Sequence, residues 1–197
     1  MQIVPLIIVL VVSVILHELA HGYVALAQGD PTAKFAGRLT LNPLAHLDPV
    51  GSFLLPLLLW SLGGVIFGWA KPVPYNPHNL RYPKWGPALV AAAGPAVNLL
   101  LALLFSLLWR LGVQQELILM VILLNLALAI FNLIPIAPLD GSKIIFALIP
   151  FRYRHIQNWL ERQQLLLLII ILVLIANTSW LDWAVFGLLQ LLTGVTI

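Results

Sequence analysis

His17 and His21 lie four residues apart in an apolar stretch, and Glu18 lies between them. On an α-helix this spacing puts both imidazoles on one face, where their ring nitrogens can bind a single metal ion. Neutral imidazole is a good ligand for Zn²⁺, and a neighbouring glutamate can take a proton from water whose pKa the ion has lowered. The spacing His-Glu-x-x-His therefore predicts a hydrolytic zinc site.

The apolar surroundings of this motif argue against coincidence. The stretch runs from Ile3 past Val24, which is long enough to cross a membrane. Three polar side chains there are costly unless a cation and hydrogen-bond partners compensate them. A cleaved signal peptide is the alternative, because residues 25–27 read Ala-Leu-Ala, but the first residues carry no Lys or Arg. We expect a retained helix.

The composition predicts an integral membrane protein. The chain of 197 residues is 61% hydrophobic and 9% charged, with a mean hydropathy of +1.02, so it lacks the polar surface of a soluble domain. It contains no cysteine, so zinc would have to bind His, Asp or Glu. The net charge of +3 comes from few residues and indicates topology in the bilayer rather than nucleic-acid binding.

Five apolar stretches predict an all-α polytopic membrane protein, a single domain over residues 1–197 with four to six transmembrane segments. The second stretch contains Pro56 and Gly63-Gly64 and predicts a re-entrant segment near residues 53–69. Partial alternation of apolar and polar residues predicts a short β-hairpin near residues 32–47, with an irregular loop as the alternative. The stretches cover residues 3–27, 53–69, 87–109, 117–134 and 165–176, the last with an extension to 192.

The distribution of Lys and Arg supports the re-entrant segment. If residues 53–69 enter and leave on one side, nine of the ten basic residues face one compartment. If they cross fully, the same residues divide three against seven. The positive-inside rule favours the nine-to-one arrangement and places the zinc motif towards the cytoplasmic side.

Two histidines leave a catalytic zinc ion short of a third protein ligand. Asp140 is the strongest candidate, because it follows the fourth apolar stretch and precedes another apolar run. Pro135 and Pro138 break the helix before it, and Gly141 permits a tight approach of the backbone.

Several separated motifs closely resemble the site-2 protease family of intramembrane zinc metalloproteases. Residues 17–22 match its zinc-binding helix, residues 132–141 match its N-x-x-P-x-x-x-x-D-G stretch, and residues 94–98 match its G-P-x-x-N helix start. Residues 42–49 and 68–74 look like segments of its short prokaryotic branch. Many members carry an extra span or PDZ or CBS modules, and we expect a minimal core without them.

The resemblance implies that His17, His21 and Asp140 bind one Zn²⁺ per chain and that Glu18 activates the attacking water. The substrate would be a peptide bond within or next to a transmembrane helix of another membrane protein. The resemblance also implies a multi-pass protein of a prokaryotic plasma membrane, in contact with the lipid bilayer and with regulatory membrane partners.

Four further polar residues are candidates for the site. Asn132 and Asn98 could donate amide hydrogens to the oxyanion or to the substrate backbone, although helix capping or bonding between helices would also explain them. His46 and Asp48 could line the water entrance or support a ligand, and a loop-stabilising role is the alternative.

A metal or ion transporter is the alternative function. Such a protein could use His17, His21 and Asp140 as a transient site near the middle of the membrane. Glu18 separates the two hypotheses, because a protease needs it as a base and a transporter does not.

Overall fold

Helices and tight turns make up the regular structure of the part of the chain that the computed structural model describes, which is residues 3–54, 57, 61, 68–150, 152 and 154–195. This confirms the all-α class, since no strand occurs within those ranges. The α-helices are α1 Ile3–Ala27, α2 Thr32–Phe35, α3 Gly86–Arg110, α4 Glu116–Asn132, α5 Asp140–Leu148, α6 Arg154–Arg162, α7 Gln164–Asn177 and α8 Trp180–Thr193. Short 3-10 helices cover Pro43–His46 and Pro77–Asn79, and a π-helical turn covers Pro49–Leu54.

Two helices, α1 and α3, are each 25 residues long and apolar enough to cross a membrane. Residues His155–Arg162 and helix α7 form a third candidate, broken by a bend of 69°. Helices α4 and α8 are apolar but shorter. The described residues thus contain two or three candidate spans. The predicted re-entrant segment near residues 53–69 lies mostly outside the described residues.

Helix α3 is the centre of the bundle. It packs against α1, α4, α5 and α8. A buried apolar cluster joins it to α4 and α8 through residues that include Ala102, Ile122 and Leu189, all with no exposed surface. Small residues on α3, among them Ala91 and Gly94, allow the helix backbones to approach closely. This packing holds α1, which carries the zinc motif, against α3.

The β-hairpin expected near residues 32–47 is wrong. The chain there forms α2, a turn and the 3-10 helix Pro43–His46. The Arg38 guanidinium donates to the carbonyl oxygen of Ala45 and to those of Lys71 (2.7 Å) and Pro72 (3.2 Å), so a side chain satisfies carbonyl groups that a strand ladder would otherwise use. Phe35, one of the alternating apolar residues, is 82% exposed, so the alternation does not mark a buried face.

Asp30 ties the end of α1 to the segment that precedes α3. Its buried carboxylate accepts hydrogen bonds from Thr32 N (3.2 Å), Thr32 Oγ1 (2.5 Å), Asn76 N (2.6 Å) and Asn79 Nδ2 (2.9 Å). Burial alone would raise the pKa of Asp30, but these hydrogen bonds to the charged form lower it below its ordinary value of 3.8. The position of residues 76–79 beside the bundle therefore depends on this carboxylate.

Asp30→Asn should destabilise the protein by about 1–3 kcal/mol, because the new amide nitrogen replaces one carboxylate oxygen and turns a donor towards the donors of that side, either Asn76 N or the Thr32 and Asn79 groups. Since folding lowers the pKa of Asp30, its charge contributes stability above 3.8 and loses that contribution as the pH falls through the folded pKa. Thermal unfolding in detergent should show the largest gap between wild type and variant near neutral pH, and a smaller gap below about pH 4. The exposed Asp182→Asn is the matched control, and an equal loss in both variants would contradict the assignment.

Candidate zinc site

Three potential ligand atoms from α1 and α5 meet at one point. The Nε2 atoms of His17 and His21 each lie 3.2 Å from Oδ2 of Asp140. Ligand atoms around a tetrahedral zinc ion, at bond lengths of about 2.0–2.2 Å, are separated by roughly 3.3 Å. The three residues are 6%, 9% and 7% exposed. The structure therefore brings together the three residues that the sequence assigned to zinc, with a separation that suits the ion.

Helix α1 supplies the two imidazoles, and the first residue of α5 supplies the carboxylate. The rings of His17 and His21 pack edge to face, with centroids 4.6 Å apart. Asp140 begins α5, directly before Gly141. A Cβ atom on Gly141 would overlap the carbonyl oxygens of Leu133 and Ile134, so only glycine lets α5 begin this close to the end of α4.

Gly94 on α3 makes room for the two imidazoles. A Cβ atom at this position would lie 2.5 Å from His21 Nε2 and 2.6 Å from His17 Nε2. The missing side chain leaves a hollow that faces the two ligand nitrogens. Two imidazoles and one carboxylate, with no thiolate, are a donor set typical of catalytic zinc, so the residues present fit this ion.

Hydrogen bonds fix the outer edge of each imidazole. His21 Nδ1 lies 2.7 Å from the carbonyl oxygen of Val90, which can only accept, so Nδ1 carries the proton and donates it. His17 Nδ1 lies 2.5 Å from Oδ1 of Asn98 and donates to it. In both rings the Nε2 lone pair then faces the ligand position, which is the tautomer that a metal needs.

Asp140 is present as a carboxylate. The positive charge of Lys143 beside it favours the deprotonated form of this buried carboxyl group. The ammonium of Lys143 lies 3.9 Å from Oδ1, the carboxylate oxygen that does not contact the histidines. A deprotonated carboxylate is the form that binds a metal ion.

Glu18 is held beside the ligands by the backbone of an overlying segment. Its Oε2 accepts a hydrogen bond of 2.8 Å from the amide of Val73. Pro72 and Pro74 flank Val73 and have no N–H, so Val73 supplies the one amide hydrogen in residues 72–74. The donor atoms of His17, Glu18 and His21 lie within 4.8 Å of one another. The glutamate is thus placed where it can exchange a proton with a molecule at the ligand position.

A cavity of about 150 Å³ opens beside the ligands. Asn132 lines this cavity, and its amide donates to the carbonyl oxygen of Leu128 within α4 (2.9 Å). Lys143 also lines it, with its ammonium 5.5 Å from the centre of the Tyr75 ring. The complete lining consists of His17, Glu18, His21, Pro72, Val73, Tyr75, Val90, Asn132, Pro138, Asp140 and Lys143.

The other predicted site residues lie outside this lining. Asn98 is fully buried behind His17 and contacts it directly. His46 is buried and donates from Nε2 to the carbonyl oxygen of Thr40 (2.9 Å). Asp48 accepts from the amides of Val50 (3.0 Å) and Gly51 (2.7 Å), which stabilises the turn that follows it. His46 and Asp48 thus make local loop contacts, while Asn98 belongs to the surroundings of a ligand.

Sequence reasoning missed several groups that shape the site. The Val90 carbonyl and the Val73 amide are backbone groups, so the residue type does not indicate that they contact the site. The hollow at Gly94 depends on how α1 and α3 pack. The sequence did contain a signal for Lys143, because it lies three residues after Asp140 and this spacing puts two side chains next to each other on a helix.

Gly94→Ala should weaken zinc binding by roughly 10- to 100-fold, because the added methyl group displaces both ligand imidazoles. Competition against a chromogenic chelator, with purified protein in detergent, measures this affinity. Gly187→Ala in α8 is the matched control, since a Cβ atom there meets no atom within 4 Å. Equal zinc affinity in both variants would show that the imidazoles do not need the hollow.

The sequence matches known metalloproteases over most of its length. The profile of Peptidase family M50 matches residues 5–116 and 108–176. YwhC of Bacillus subtilis (strain 168) is 44% identical over 158 residues, which are 74% of this chain and 69% of YwhC. Rip2 of Mycobacterium tuberculosis (strain H37Rv) is 33% identical over 178 residues, 87% of this chain and 66% of Rip2. MJ0392 of Methanocaldococcus jannaschii is 30% identical over 157 residues, 78% of this chain and 37% of MJ0392.

The names of these relatives agree with the chemistry of the site. YwhC and Rip2 are named as candidate zinc metalloproteases, and MJ0392 is named a zinc metalloprotease. The chain spans less than two thirds of the length of Rip2 and MJ0392. No solved structure matches the chain. The transporter hypothesis receives no support from these relatives. The chain belongs to peptidase family M50, the site-2 protease family of zinc metalloproteases.

Proposed function

We propose that this chain is an intramembrane zinc protease, which hydrolyses a peptide bond within or next to a transmembrane helix of a membrane-protein substrate. The observation that carries the proposal is the meeting of His17, His21 and Asp140 at one buried point, with Glu18 beside them. The two histidines and Glu18 lie in a helix that is long and apolar enough to span a bilayer. A hydrolytic site in such a helix acts at or near membrane depth.

Glu18 is the proton carrier of the proposed reaction. When bound by His17, His21 and Asp140, Zn²⁺ polarises the scissile carbonyl and lowers the pKa of the attacking water. Glu18 takes a proton from this water while the water oxygen bonds to the carbonyl carbon of the substrate. It then gives the proton to the peptide nitrogen as the C–N bond breaks. The hydrogen bond from the Val73 amide to Oε2 holds the Glu18 side chain beside the ligand position, where it can serve both the water and the peptide nitrogen.

Two donors in the cavity can stabilise charge on the substrate carbonyl oxygen. Asn132 carries an amide group and Lys143 an ammonium group, and both line the same cavity as Glu18. One well-placed donor of this kind contributes about 3 kcal/mol to the stabilisation of a transition state. The hydrogen bond from Asn132 to Leu128 uses one of its two amide hydrogens and leaves the other for the substrate.

The substrate helix must unwind locally before cleavage. Amide groups in a regular helix are hydrogen-bonded within the helix and shielded by side chains, and lipid offers them no other partner. Residues that weaken a helix, such as glycine and proline, should therefore favour cleavage at nearby bonds. This requirement restricts the substrate class without naming a particular protein.

We further propose four to six crossings, with residues 53–69 re-entrant and the active site towards the cytoplasmic side of a prokaryotic plasma membrane. Helix α4 has 17 residues, about 26 Å at 1.5 Å per residue, which nearly matches the roughly 30 Å hydrocarbon core. The nine-to-one division of basic residues supports this orientation. We also propose that other membrane proteins regulate the access of substrates to the cavity.

Glu18→Gln tests the proposed chemistry. The variant should bind zinc with nearly the affinity of the wild type, because the amide removes the base and leaves the three ligands in place. Its cleavage of a membrane-anchored reporter with a glycine-containing transmembrane helix should fall by about 10²- to 10⁴-fold. Initial rates in proteoliposomes and zinc content measured on the same preparation give both quantities.

The exposed Glu161→Gln is the matched control and should cleave at the wild-type rate. Unchanged cleavage by Glu18→Gln would remove Glu18 from the mechanism. A wild type that binds zinc but cleaves no such reporter would contradict the proposed substrate class.

A further inference from the structure

A chain of buried side-chain amides runs from the zinc site into the centre of the bundle. Asn98 of α3 and Asn125 of α4 have no exposed surface, and Ser13 of α1 is 3% exposed. Asn98 Nδ2 donates to Asn125 Oδ1 at 2.8 Å. Asn125 Nδ2 donates to Ser13 Oγ and to the Val121 carbonyl oxygen, both at 2.9 Å. Three helices thus place polar groups in one apolar core, which is costly unless every group is paired.

The direction of these hydrogen bonds is fixed by backbone carbonyl oxygens: Val121 O lies 2.9 Å from Asn125 Nδ2, and Ser13 O lies at the longer distance of 3.5 Å from Asn98 Nδ2. The Val121 carbonyl can only accept, so the amide nitrogen of Asn125 must face it, and the amide oxygen of Asn125 must face Asn98. Asn98 is then obliged to turn its nitrogen to Asn125 and its oxygen to His17. The only group that His17 can offer to this oxygen is a protonated Nδ1.

The opposite orientation of Asn98 would block the site. A rotated Asn98 would present its N–H groups to Nδ1 of His17, and that ring nitrogen would have to accept. The proton of the neutral ring would then move to Nε2, which lies 3.2 Å from Asp140 Oδ2 at the ligand position. A protonated Nε2 has no lone pair for a metal ion. The orientation of one amide therefore decides whether His17 can bind zinc.

We propose that Asn125, with Ser13 beside it, is a positioning residue that acts through Asn98 to hold His17 in the metal-binding tautomer. The inference rests on the zinc site of the proposed function, and it adds two residues that neither the motif nor the cavity lining contains. Its consequence is that zinc affinity depends on a hydrogen bond between α3 and α4 that does not touch the ion.

A purely structural role for Asn125 makes a different prediction. Such a role predicts only a loss of thermal stability when Asn125 is replaced, because Asn98 Nδ2 and Ser13 Oγ lose this buried partner, with the zinc affinity and the His17 tautomer unchanged. Under our proposal Asn125→Leu should in addition lower the zinc affinity roughly 10-fold, the loss typical of removing a partner behind a ligand, and shift the His17 proton towards Nε2. Asn125→Asp should retain most of the affinity, because a neutral carboxylic acid still offers one acceptor to Asn98 and one donor to Val121.

The experiment measures zinc affinity by chelator competition and the His17 tautomer by ¹⁵N NMR of the ring nitrogens, both on the full chain in detergent. In the metal-free wild type and in Asn125→Asp, His17 should carry its proton on Nδ1. In Asn125→Leu a substantial fraction should carry it on Nε2. A folded Asn125→Leu protein with wild-type affinity and the Nδ1 proton would overturn the proposal.

Two serine variants keep the test decisive if Asn125→Leu does not fold. Ser13→Ala removes one of the two acceptors that hold the Asn125 amide and should shift affinity and tautomer in the same direction, by a smaller amount. Ser106→Ala is the matched control, because Ser106 is equally buried but donates only to Ala102 in its own helix. Identical behaviour of the two variants would also overturn the proposal. Both readouts are independent of cleavage, so failure of the protease assay leaves them interpretable.

Discussion

Two imidazoles and one carboxylate must meet inside a largely apolar bundle, and the arrangement of the helices depends on this constraint. An isolated polar group in such surroundings costs several kcal/mol, roughly the full stability of many proteins when three groups are counted. The structure offsets the cost by pairing each group. His21 donates to a backbone carbonyl and His17 to Asn98, and the charge of Asp140 lies beside the ammonium of Lys143.

Helix α3 is the element through which these pairings are made. It provides a carbonyl group at Val90, a hollow at Gly94 and a side-chain amide at Asn98. Three successive turns of α3 therefore contact the zinc motif on α1. Asp140 reaches the same point because Gly141 lets α5 begin against the last turn of α4. The amide of Val73, which lines the same cavity, donates to Glu18 and holds it beside the ligands. The metal site and the packing of the bundle are therefore one structure, and a change in either alters the other.

The sequence predicted the parts of this arrangement that have a strong local pattern. The four-residue spacing of His17 and His21 places them on one helical face, and a glycine after Asp140 marks the close approach of α5. The prediction of a β-hairpin was wrong because a partial alternation of apolar and polar residues does not show which groups the backbone will bond. In the structure the Arg38 side chain donates to the carbonyl oxygens of Lys71 and Pro72. The partner of Asn98 was equally hidden, since an asparagine in an apolar helix looks the same whether it faces a substrate or a histidine.

X-ray absorption at the zinc edge of the purified protein tests the central claim most directly. The spectrum should require two imidazole nitrogens and at least one oxygen at about 2.0–2.2 Å, and Asp140→Ala should lose zinc affinity or alter this oxygen shell. A zinc environment that Asp140→Ala leaves unchanged, or one with fewer than two imidazoles, would contradict the site described by His17, His21 and Asp140.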